Sequence, residues 1–301
     1  MNARSVVAIG GALVDVRART RAGWAPGRSL PGIARLDAGG AARNVAADLA
    51  RLGYHVTLLT AVGDDTLGTW LLDVTAGAGV DVQHALRRRG GTGLYVSVAP
   101  GGAAPGGGDA WSVADASLIE ALTPADLKAW SDEIAEAAVV VSDANLSEET
   151  HRALAGMVKG ARVLLGTSPD KAVRLRAVLG GAAVVVCNRA EALSVTGLPG
   201  TLSWQALGTA LLTEGVERAV ITQGPRGVAV VTSDGAALAP AVEVPVVDPT
   251  GAGDAVAAVA AHAYLTGLGP DETAGLAAAA AAVVVQSLES TPAALAGVLP
   301  R

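Results

Sequence analysis

The chain has 301 residues, of which 51% are hydrophobic and only 17% are charged, and its formal net charge at pH 7 is −6. This balance excludes a disordered chain, which needs low hydrophobicity and high charge. Because the net charge is negative, neither nucleic acid nor an anionic membrane surface is expected as a partner.

The sequence carries no sign of secretion or of a membrane span. The single cysteine, Cys187, cannot form an intrachain disulfide, so nothing indicates an oxidising compartment. Gly10, Gly11 and Asp15 interrupt the apolar run that a signal peptide would need. The apolar run Gly275–Val285 is much shorter than the ~20 residues that cross a bilayer. We therefore expect a soluble, cytoplasmic protein.

Short apolar runs alternate with helix-like segments along most of the chain. Strands are predicted at Ser5–Ile9, His55–Ala61, Ala138–Ser142, Val163–Gly166, Ala183–Val186 and Ala219–Thr222. Helices are predicted at Ala41–Leu52, Leu67–Ala78, Pro124–Glu136, Glu148–Val158, Lys171–Leu179, Ser203–Glu214, Gly253–Thr266 and Pro270–Ser287. Continuous apolar strands separated by helices predict an α/β fold with a parallel sheet covered on both faces.

Two segments, Val16–Ala38 and Thr92–Ala114, break this alternation. The first has no helical period, and the second has alternating apolar residues around a Gly/Pro-rich tip, which is typical of a β-hairpin with a long loop. Two β insertions in an α/β chain predict a small sheet that acts as a lid, although both segments could also be plain surface excursions. With no internal repeat or linker, residues 1–301 are predicted to form a single domain.

The strongest chemical motif is Val247-Asp248-Pro249-Thr250-Gly251-Ala252-Gly253-Asp254, directly before an Ala/Val-rich helix. A Gly-Ala-Gly turn at a helix start leaves backbone N–H groups free at the positive end of the helix dipole, which suits phosphoryl oxygens. Asp254 beside such a site would repel phosphate unless it has a task, such as taking a proton from an attacking hydroxyl. The alternative is a strand-to-helix turn with an acidic cap.

Several other routes to chemistry are missing from the sequence. No G-x-x-x-x-G-K-[ST] occurs, which excludes a P-loop, and no G-x-S-x-G, H-E-x-x-H or C-x-x-C is present. The histidines are scattered along the chain and are expected to be packing or surface residues rather than metal ligands.

The motif at Asp248–Asp254, taken with Gly39-Gly40-Ala41-Ala42-Arg43-Asn44, resembles the two signatures of the ribokinase-like, or PfkB-type, sugar and nucleoside kinases. Asn188-Arg189-Ala190-Glu191 resembles the N-x-x-E motif of that family, and Thr222–Gly227 resembles its T-x-G-x-x-G stretch. These motifs follow the family's order and span nearly the whole chain. The resemblance implies a Rossmann-like three-layer α/β/α sandwich with a small β-sheet lid, and transfer of the ATP γ-phosphoryl group to a sugar hydroxymethyl.

The resemblance also implies roles for individual residues in phosphoryl transfer. Asp254 would be the general base, and the backbone N–H groups of Gly251, Ala252 and Gly253 would stabilise the transferring charge. Nucleotide binding would fall to Asn188, Thr222, Gly224 and Gly227, although the last three could simply form a strand-to-strand turn.

Two metal sites follow from the same resemblance. Glu191, with Asn188, would help to hold Mg²⁺ through water, because Mg²⁺ dehydrates reluctantly. A capping box at a helix start is the alternative for this pair. Asp248 and Thr250 resemble family positions that help to bind an activating monovalent cation, which would be K⁺.

The acceptor side is predicted at Asp15, Gly39, Gly40 and Asn44. Asp15, expected at the end of the first strand, could accept hydrogen bonds from paired sugar hydroxyls, and Asn44 offers a donor and an acceptor. The two glycines would allow close backbone approach. For Asp15 alone, the alternative is a turn residue at a strand end.

Within the family, Pro31–Gly53, Val139–Glu149 and Ser287–Ser290 are similar to pseudouridine kinases, so pseudouridine is the first substrate to consider. Leu13 departs from that subgroup, which commonly has Asn there, and leaves ribose or another nucleoside as the alternative. A non-catalytic sugar or nucleoside sensor on the same scaffold is a hypothesis of a different class. A dinucleotide oxidoreductase is disfavoured because no G-x-G-x-x-G follows the first strand. A homodimer formed through the lid is also expected.

Overall fold

The computed structural model describes residues 5–23, 27–101 and 111–299. The strands in these ranges are β1 (Ser5–Ile9), β2 (Leu13–Thr20), β3 (Gly32–Gly39), β4 (His55–Leu59), β5 (Ala61–Gly63), β6 (Val80–Asp81), β7 (Leu86–Arg88), β8 (Leu94–Ala99), β9 (Trp111–Asp115), β10 (Val139–Asp143), β11 (Ala161–Leu165), β12 (Val184–Asn188), β13 (Arg218–Thr222), β14 (Val228–Thr232) and β15 (Gly235–Ala239). The helices are α1 (Ala41–Arg51), α2 (Thr66–Gly77), α3 (Ser117–Glu120), α4 (Pro124–Ala129), α5 (Ser131–Glu136), α6 (Glu148–Met157), α7 (Pro169–Ala172), α8 (Arg189–Thr196), α9 (Trp204–Thr213), α10 (Ala252–Thr266) and α11 (Pro270–Val285). Short 3₁₀ segments cover Val173–Val178, Gly224–Arg226 and Ala293–Gly297.

The main sheet has nine strands in the order β15-β14-β13-β12-β11-β10-β1-β4-β6. Seven neighbouring strands of this sheet, in the order β13-β12-β11-β10-β1-β4-β6, pair in parallel. The strands β14 and β15 extend the sheet beyond β13 as an antiparallel edge. The expected α/β fold with a parallel central sheet is confirmed. The antiparallel edge was not predicted as strands.

Helices cover both faces of this sheet because successive strand residues point to opposite sides. In β1, Val6 and Ala8 pack with α1, α10 and α11, whereas Val7 and Ile9 pack with residues of α3 to α6. The C-terminal strands repeat this arrangement against α8 and α9. The result is a three-layer sandwich. Within the described ranges, no helix is both long and apolar enough to cross a membrane.

A second sheet of four strands has the order β3-β2-β8-β9. β2 and β3 form one antiparallel hairpin, β8 and β9 form another, and the two hairpins meet through parallel pairing of β2 with β8. The two segments that break the α/β alternation thus form one sheet. Its role as a lid stays a prediction. The Gly/Pro-rich tip is expected at Gly101–Gly108. Of these residues, only Gly101 is among those that the structure describes.

Three local predictions were wrong in detail. The helix expected at Pro124–Glu136 is split into α4 and α5 because the chain bends at Trp130, whose buried indole Nε1 donates to the His84 carbonyl at 3.1 Å. A helix was also expected over Lys171–Leu179. The helix α7 begins two residues earlier, because Ser168 caps it and Pro169 fits its first turn, and a 3₁₀ segment follows it.

The third wrong prediction concerns the position of Asp15. It lies inside β2 rather than at the end of the first strand, because the chain turns at Gly10, with φ of 142°, and leaves the main sheet for the second sheet.

Candidate active site

The carboxyl ends of the parallel strands meet at one edge of the main sheet, where α/β proteins bind ligands. Asn188 and Thr222 end β12 and β13 and are direct register partners. Asp143 ends β10, and its neighbour in the sheet, β1, ends at Ile9 just before the Gly10-Gly11 turn. The structure therefore brings the nucleotide-side and acceptor-side motifs to the same edge.

The turn into α10 depends on Gly251. Its φ is 89°, a left-handed conformation, and a Cβ on it would lie 2.3 Å from the Ser290 carbonyl oxygen. Ala252 N–H donates to the Pro249 carbonyl at 3.2 Å, but no described residue accepts a hydrogen bond from the N–H of Gly253 or Asp254. Two of these N–H groups are thus available to an anion at a helix start.

Asp254 is half-buried in the first turn of α10, and its Oδ2 accepts a hydrogen bond from Asn44 Nδ2 at 2.7 Å. Burial raises the pKa of Asp254 to about 7, repulsion from Asp143, Asp15 and Glu191 adds to this, and the Asn44 bond opposes it. A carboxyl group that titrates near neutral pH is suited to general-base catalysis. Asn44, predicted to contact substrate, contacts the candidate base itself.

Asp143 is a structural residue of the site that was not among the predicted site residues. Its Oδ2 accepts hydrogen bonds from the N–H groups of Gly11 (2.7 Å) and Ala42 (3.0 Å), and its Oδ1 accepts one from Asn145 (2.9 Å). It is completely buried and ties the Gly10-Gly11 turn to the start of α1. The available signal was an acidic residue directly after a buried apolar strand.

The acceptor-side residues lie together, but the glycines have a different role from the one predicted. Asp15 is 4% exposed, and a Cβ on Gly39 would lie 2.2 Å from Asp15 Oδ1. Gly40 has φ of 96°, and a Cβ there would lie 2.5 Å from the Gly11 carbonyl oxygen. Both glycines allow close approach between segments of the protein itself. Leu13 is buried beside Gly93.

On the nucleotide side, Thr222, Gly224 and Gly227 form the turn between β13 and β14. Gly227 has φ of 101°, and a Cβ on it would overlap the Ala239 carbonyl oxygen at 1.9 Å. Nothing lies within 4 Å of a Cβ placed on Gly224. The strand-to-strand turn is therefore present, and nucleotide binding at its open side stays a prediction.

Asn188 and Glu191 form a capping box at the start of α8. Asn188 Oδ1 accepts from the Glu191 N–H at 3.0 Å, and Glu191 Oε2 accepts from the Asn188 N–H at 2.8 Å. Burial raises the pKa of Glu191. In the ranges described, no group of three or more His, Cys, Asp or Glu side chains could hold a metal ion. The residues fit Mg²⁺ only as a mostly hydrated ion beside the Glu191 carboxylate.

Asp248 does not fit the expected K⁺ site. Its Oδ2 accepts hydrogen bonds from Arg17 Nη1 at 3.1 Å and Arg35 Nη2 at 2.8 Å, and its Oδ1 accepts from the Thr250 N–H at 2.9 Å. Burial raises the pKa of Asp248, but the Thr250 hydrogen bonds and Arg17 outweigh it, so the pKa lies below its ordinary value. Two guanidinium groups already hold the Oδ2 atom of this carboxylate, and they also pair with Asp15 and Asp37.

Comparisons with known proteins agree with this geometry. Residues 3–295 match the pfkB family of carbohydrate kinases. The pseudouridine kinase of Escherichia coli K12 is 32% identical over 272 residues, which cover 87% of this chain and 84% of that protein. An uncharacterized sugar kinase of the same organism is 35% identical over 144 residues, which cover 48% of this chain and only 39% of that protein.

Among solved structures, a carbohydrate kinase from Agrobacterium tumefaciens superposes with a TM-score of 0.80 at 30% sequence identity. The match covers 99% of this chain and 98% of that one. The fold, the ordered motifs and the match over residues 3–295 lead to one conclusion: the chain belongs to the PfkB family of carbohydrate kinases.

Proposed function

We propose that the protein transfers the γ-phosphoryl group of ATP to the primary hydroxyl of a ribosyl compound, with pseudouridine as the first acceptor to test. The observation that carries this proposal is Asp254, a carboxyl group with a pKa of about 7 beside the free N–H groups at the start of α10. The 32% identity to a pseudouridine kinase supports the choice of acceptor.

In the proposed reaction, ionised Asp254 accepts the proton of the acceptor's primary hydroxyl. The hydroxyl oxygen forms a bond to the γ-phosphorus of ATP, the bond from that phosphorus to the β–γ bridging oxygen breaks, and ADP leaves. The N–H groups of Gly253 and Asp254 stabilise the charge on the transferring group, and the hydrogen bond from Asn44 holds the Asp254 carboxylate in place. Mg²⁺, held through water beside Glu191, would neutralise phosphate charge.

The acceptor site is proposed around Asp15 and Asn44. Asp15 Oδ2 is bonded to Arg17 at 2.8 Å, and its Oδ1 is the oxygen we assign to sugar hydroxyls. Leu13 stands where the pseudouridine kinase pattern carries an amide group, and its side chain is buried in the hydrophobic core. This difference keeps ribose or another nucleoside as an alternative acceptor.

We also propose that the four-stranded sheet is a lid and the contact surface of a homodimer. Strand register places Leu36 of β3, Val16 of β2, Val96 of β8 and Val113 of β9 side by side on one face. Leu36 is 52% exposed and Val113 is 72% exposed. An apolar face of this kind on a sheet is a liability in a monomer, and a second copy would cover it.

The proposed function is tested by a phosphorylation screen with ATP and Mg²⁺ over pseudouridine, uridine, cytidine, adenosine, ribose and fructose. The Asp254→Asn variant serves as the control for contaminating kinases. Pseudouridine should give the highest kcat/KM. A higher kcat/KM for ribose would show that ribose is the acceptor in place of pseudouridine, and the kinase activity would still stand. Binding of a nucleoside without turnover would favour a non-catalytic sensor.

A further inference from the structure

Two arginines of the small sheet lie opposite each other on neighbouring strands. Arg17 of β2 and Arg35 of β3 are direct register partners, as are Asp15 and Asp37 two residues away. Like charges directly opposite in a sheet repel each other. Carboxylates of the same sheet offset part of this repulsion: Asp15 pairs with Arg17 at 2.8 Å, and Asp37 Oδ2 lies 3.7 Å from Arg17 Nη1 and 3.2 Å from Arg35 Nε.

A further carboxylate reaches both guanidinium groups from outside the sheet: Asp248, on the loop that leads to Gly251. Its Oδ2 is 3.1 Å from Arg17 Nη1 and 2.8 Å from Arg35 Nη2. The Leu288 carbonyl oxygen accepts from the same two groups at 3.4 and 2.9 Å, and Ser290 Oγ accepts from Arg17 Nη2. A carboxylate, a carbonyl and a hydroxyl oxygen thus converge on one positive centre.

Such a set of oxygen atoms is what a hard cation binds in proteins. Here guanidinium groups take that place, and Arg17 is 8% exposed, so the charge sits inside the protein and is weakly screened. Guanidinium groups stay charged at any physiological pH.

The convergence bears directly on the anion site. Ser290, which bonds Arg17 through its hydroxyl, also presents the carbonyl oxygen against which Gly251 packs. Asp248 and Ser290 therefore hold the Gly251 turn from two sides. Whatever neutralises Asp248 also orders the turn that exposes the N–H groups of Gly253 and Asp254.

We propose that the guanidinium groups of Arg17 and Arg35 replace the monovalent cation beside Asp248, so that the small sheet supplies the hydrogen-bond donors that order the phosphoryl-binding turn. The protein then needs no K⁺. Arg17 and Arg35 are positioning residues in this proposal, because they touch neither the acceptor hydroxyl nor the γ-phosphorus. The proposal rests on phosphoryl transfer at Asp254 but not on which acceptor is used.

The direct test is the thermal unfolding midpoint in KCl and in tetramethylammonium chloride at equal ionic strength. Wild-type protein should unfold at the same temperature in both salts. The Arg17→Met and Arg35→Met variants, and the double variant most strongly, should be stabilised by K⁺ by roughly 2–4 °C, because K⁺ then binds the vacated oxygens. Arg152→Met, which removes an exposed ion pair with Glu148, is the matched control and should show no K⁺ response.

Turnover in the two salts is a second readout. Wild-type kcat should be the same in both, whereas the Arg variants should lose activity in tetramethylammonium and recover part of it in K⁺. A K⁺ response of the wild-type midpoint would overturn the proposal, and so would its absence in the Arg variants. If Arg17→Met does not fold, Arg35→Met carries the test, since Arg35 is only partly buried. Lack of turnover in every salt, with the thermal shifts intact, would refute the proposed function alone.

Discussion

At the residue scale, Asp254 combines a carboxyl group, a helix N-terminus and three neighbouring carboxylates. Burial raises its pKa to about 7, repulsion from these carboxylates adds to this, and the hydrogen bond from Asn44 orients the carboxyl group. These features make Asp254 a stronger candidate for the base than Asp15 or Asp143. Asp15 bonds Arg17, and Asp143 accepts three backbone N–H bonds.

Replacing Asp254 by Asn should lower kcat by about 10²–10⁴-fold, the usual contribution of a general base. Asn keeps an oxygen that can accept the Asn44 hydrogen bond, so the fold and ATP binding should be preserved. Steady-state kinetics and calorimetric titration with ATP measure the two effects. A variant with wild-type kcat would remove Asp254 from the mechanism.

The pH dependence of kcat/KM should report the ionisation of Asp254. Because Asp254 must be ionised to act and its pKa is about 7, kcat/KM should rise with pH through a midpoint near 7. Asn44→Leu removes the hydrogen bond that lowers this pKa, so its midpoint should move to higher pH. A midpoint near 4, the ordinary range for Asp, or one that Asn44→Leu does not change, would contradict this assignment.

At the element scale, the turn from Thr250 into α10 is the segment whose shape matters most. Gly251→Ala forces a left-handed residue and a contact with Ser290, and should lower the free energy of unfolding by at least about 1–2 kcal/mol. Gly253→Ala is the matched comparison, because a Cβ there meets nothing within 4 Å and Ala favours the helix by roughly 0.5–1 kcal/mol. Urea denaturation measures both, and equal effects would show that the turn is not strained.

The elements of the main sheet could be predicted from local pattern, whereas the long-range contacts of the site could not. Runs such as Val139–Val141 are apolar and β-branched and are followed by polar residues, which is enough to predict a buried strand. The same kind of pattern does not reveal the pairing of Arg17 with Arg35. The strands β2 and β3 are joined by 11 residues, Arg21–Pro31, and the register across such a connection depends on the turn and on packing.

The site shows the same limit. The motifs predicted that Asn188 and Glu191 lie together, because a capping box is a local structure. The motifs did not predict that Arg17 and Arg35 donate hydrogen bonds to Asp248, since each arginine is more than 200 positions away from Asp248 in the chain. Only the folded structure shows which charges neutralise that carboxylate.

At the scale of the whole molecule, the exposed apolar face of the small sheet should join two copies. The wild-type protein should be a dimer by size-exclusion chromatography with light scattering. Val113→Glu should be monomeric, because a buried, unpaired charge is costly. Ser112→Glu, on the opposite face of the same exposed strand, should remain dimeric. A monomeric wild-type protein, or a dimeric Val113→Glu variant, would contradict the dimer through this face.

NMR identification of the product formed from ATP, Mg²⁺ and pseudouridine tests phosphoryl transfer to the primary hydroxyl directly. We expect one ADP per phosphorylated acceptor, with phosphate on the primary 5′ oxygen, and product formation at least about 100-fold slower with Asp254→Asn. ADP formed with free phosphate only, or a product phosphorylated on a ring hydroxyl, would contradict the proposed transfer to a primary hydroxyl at Asp254.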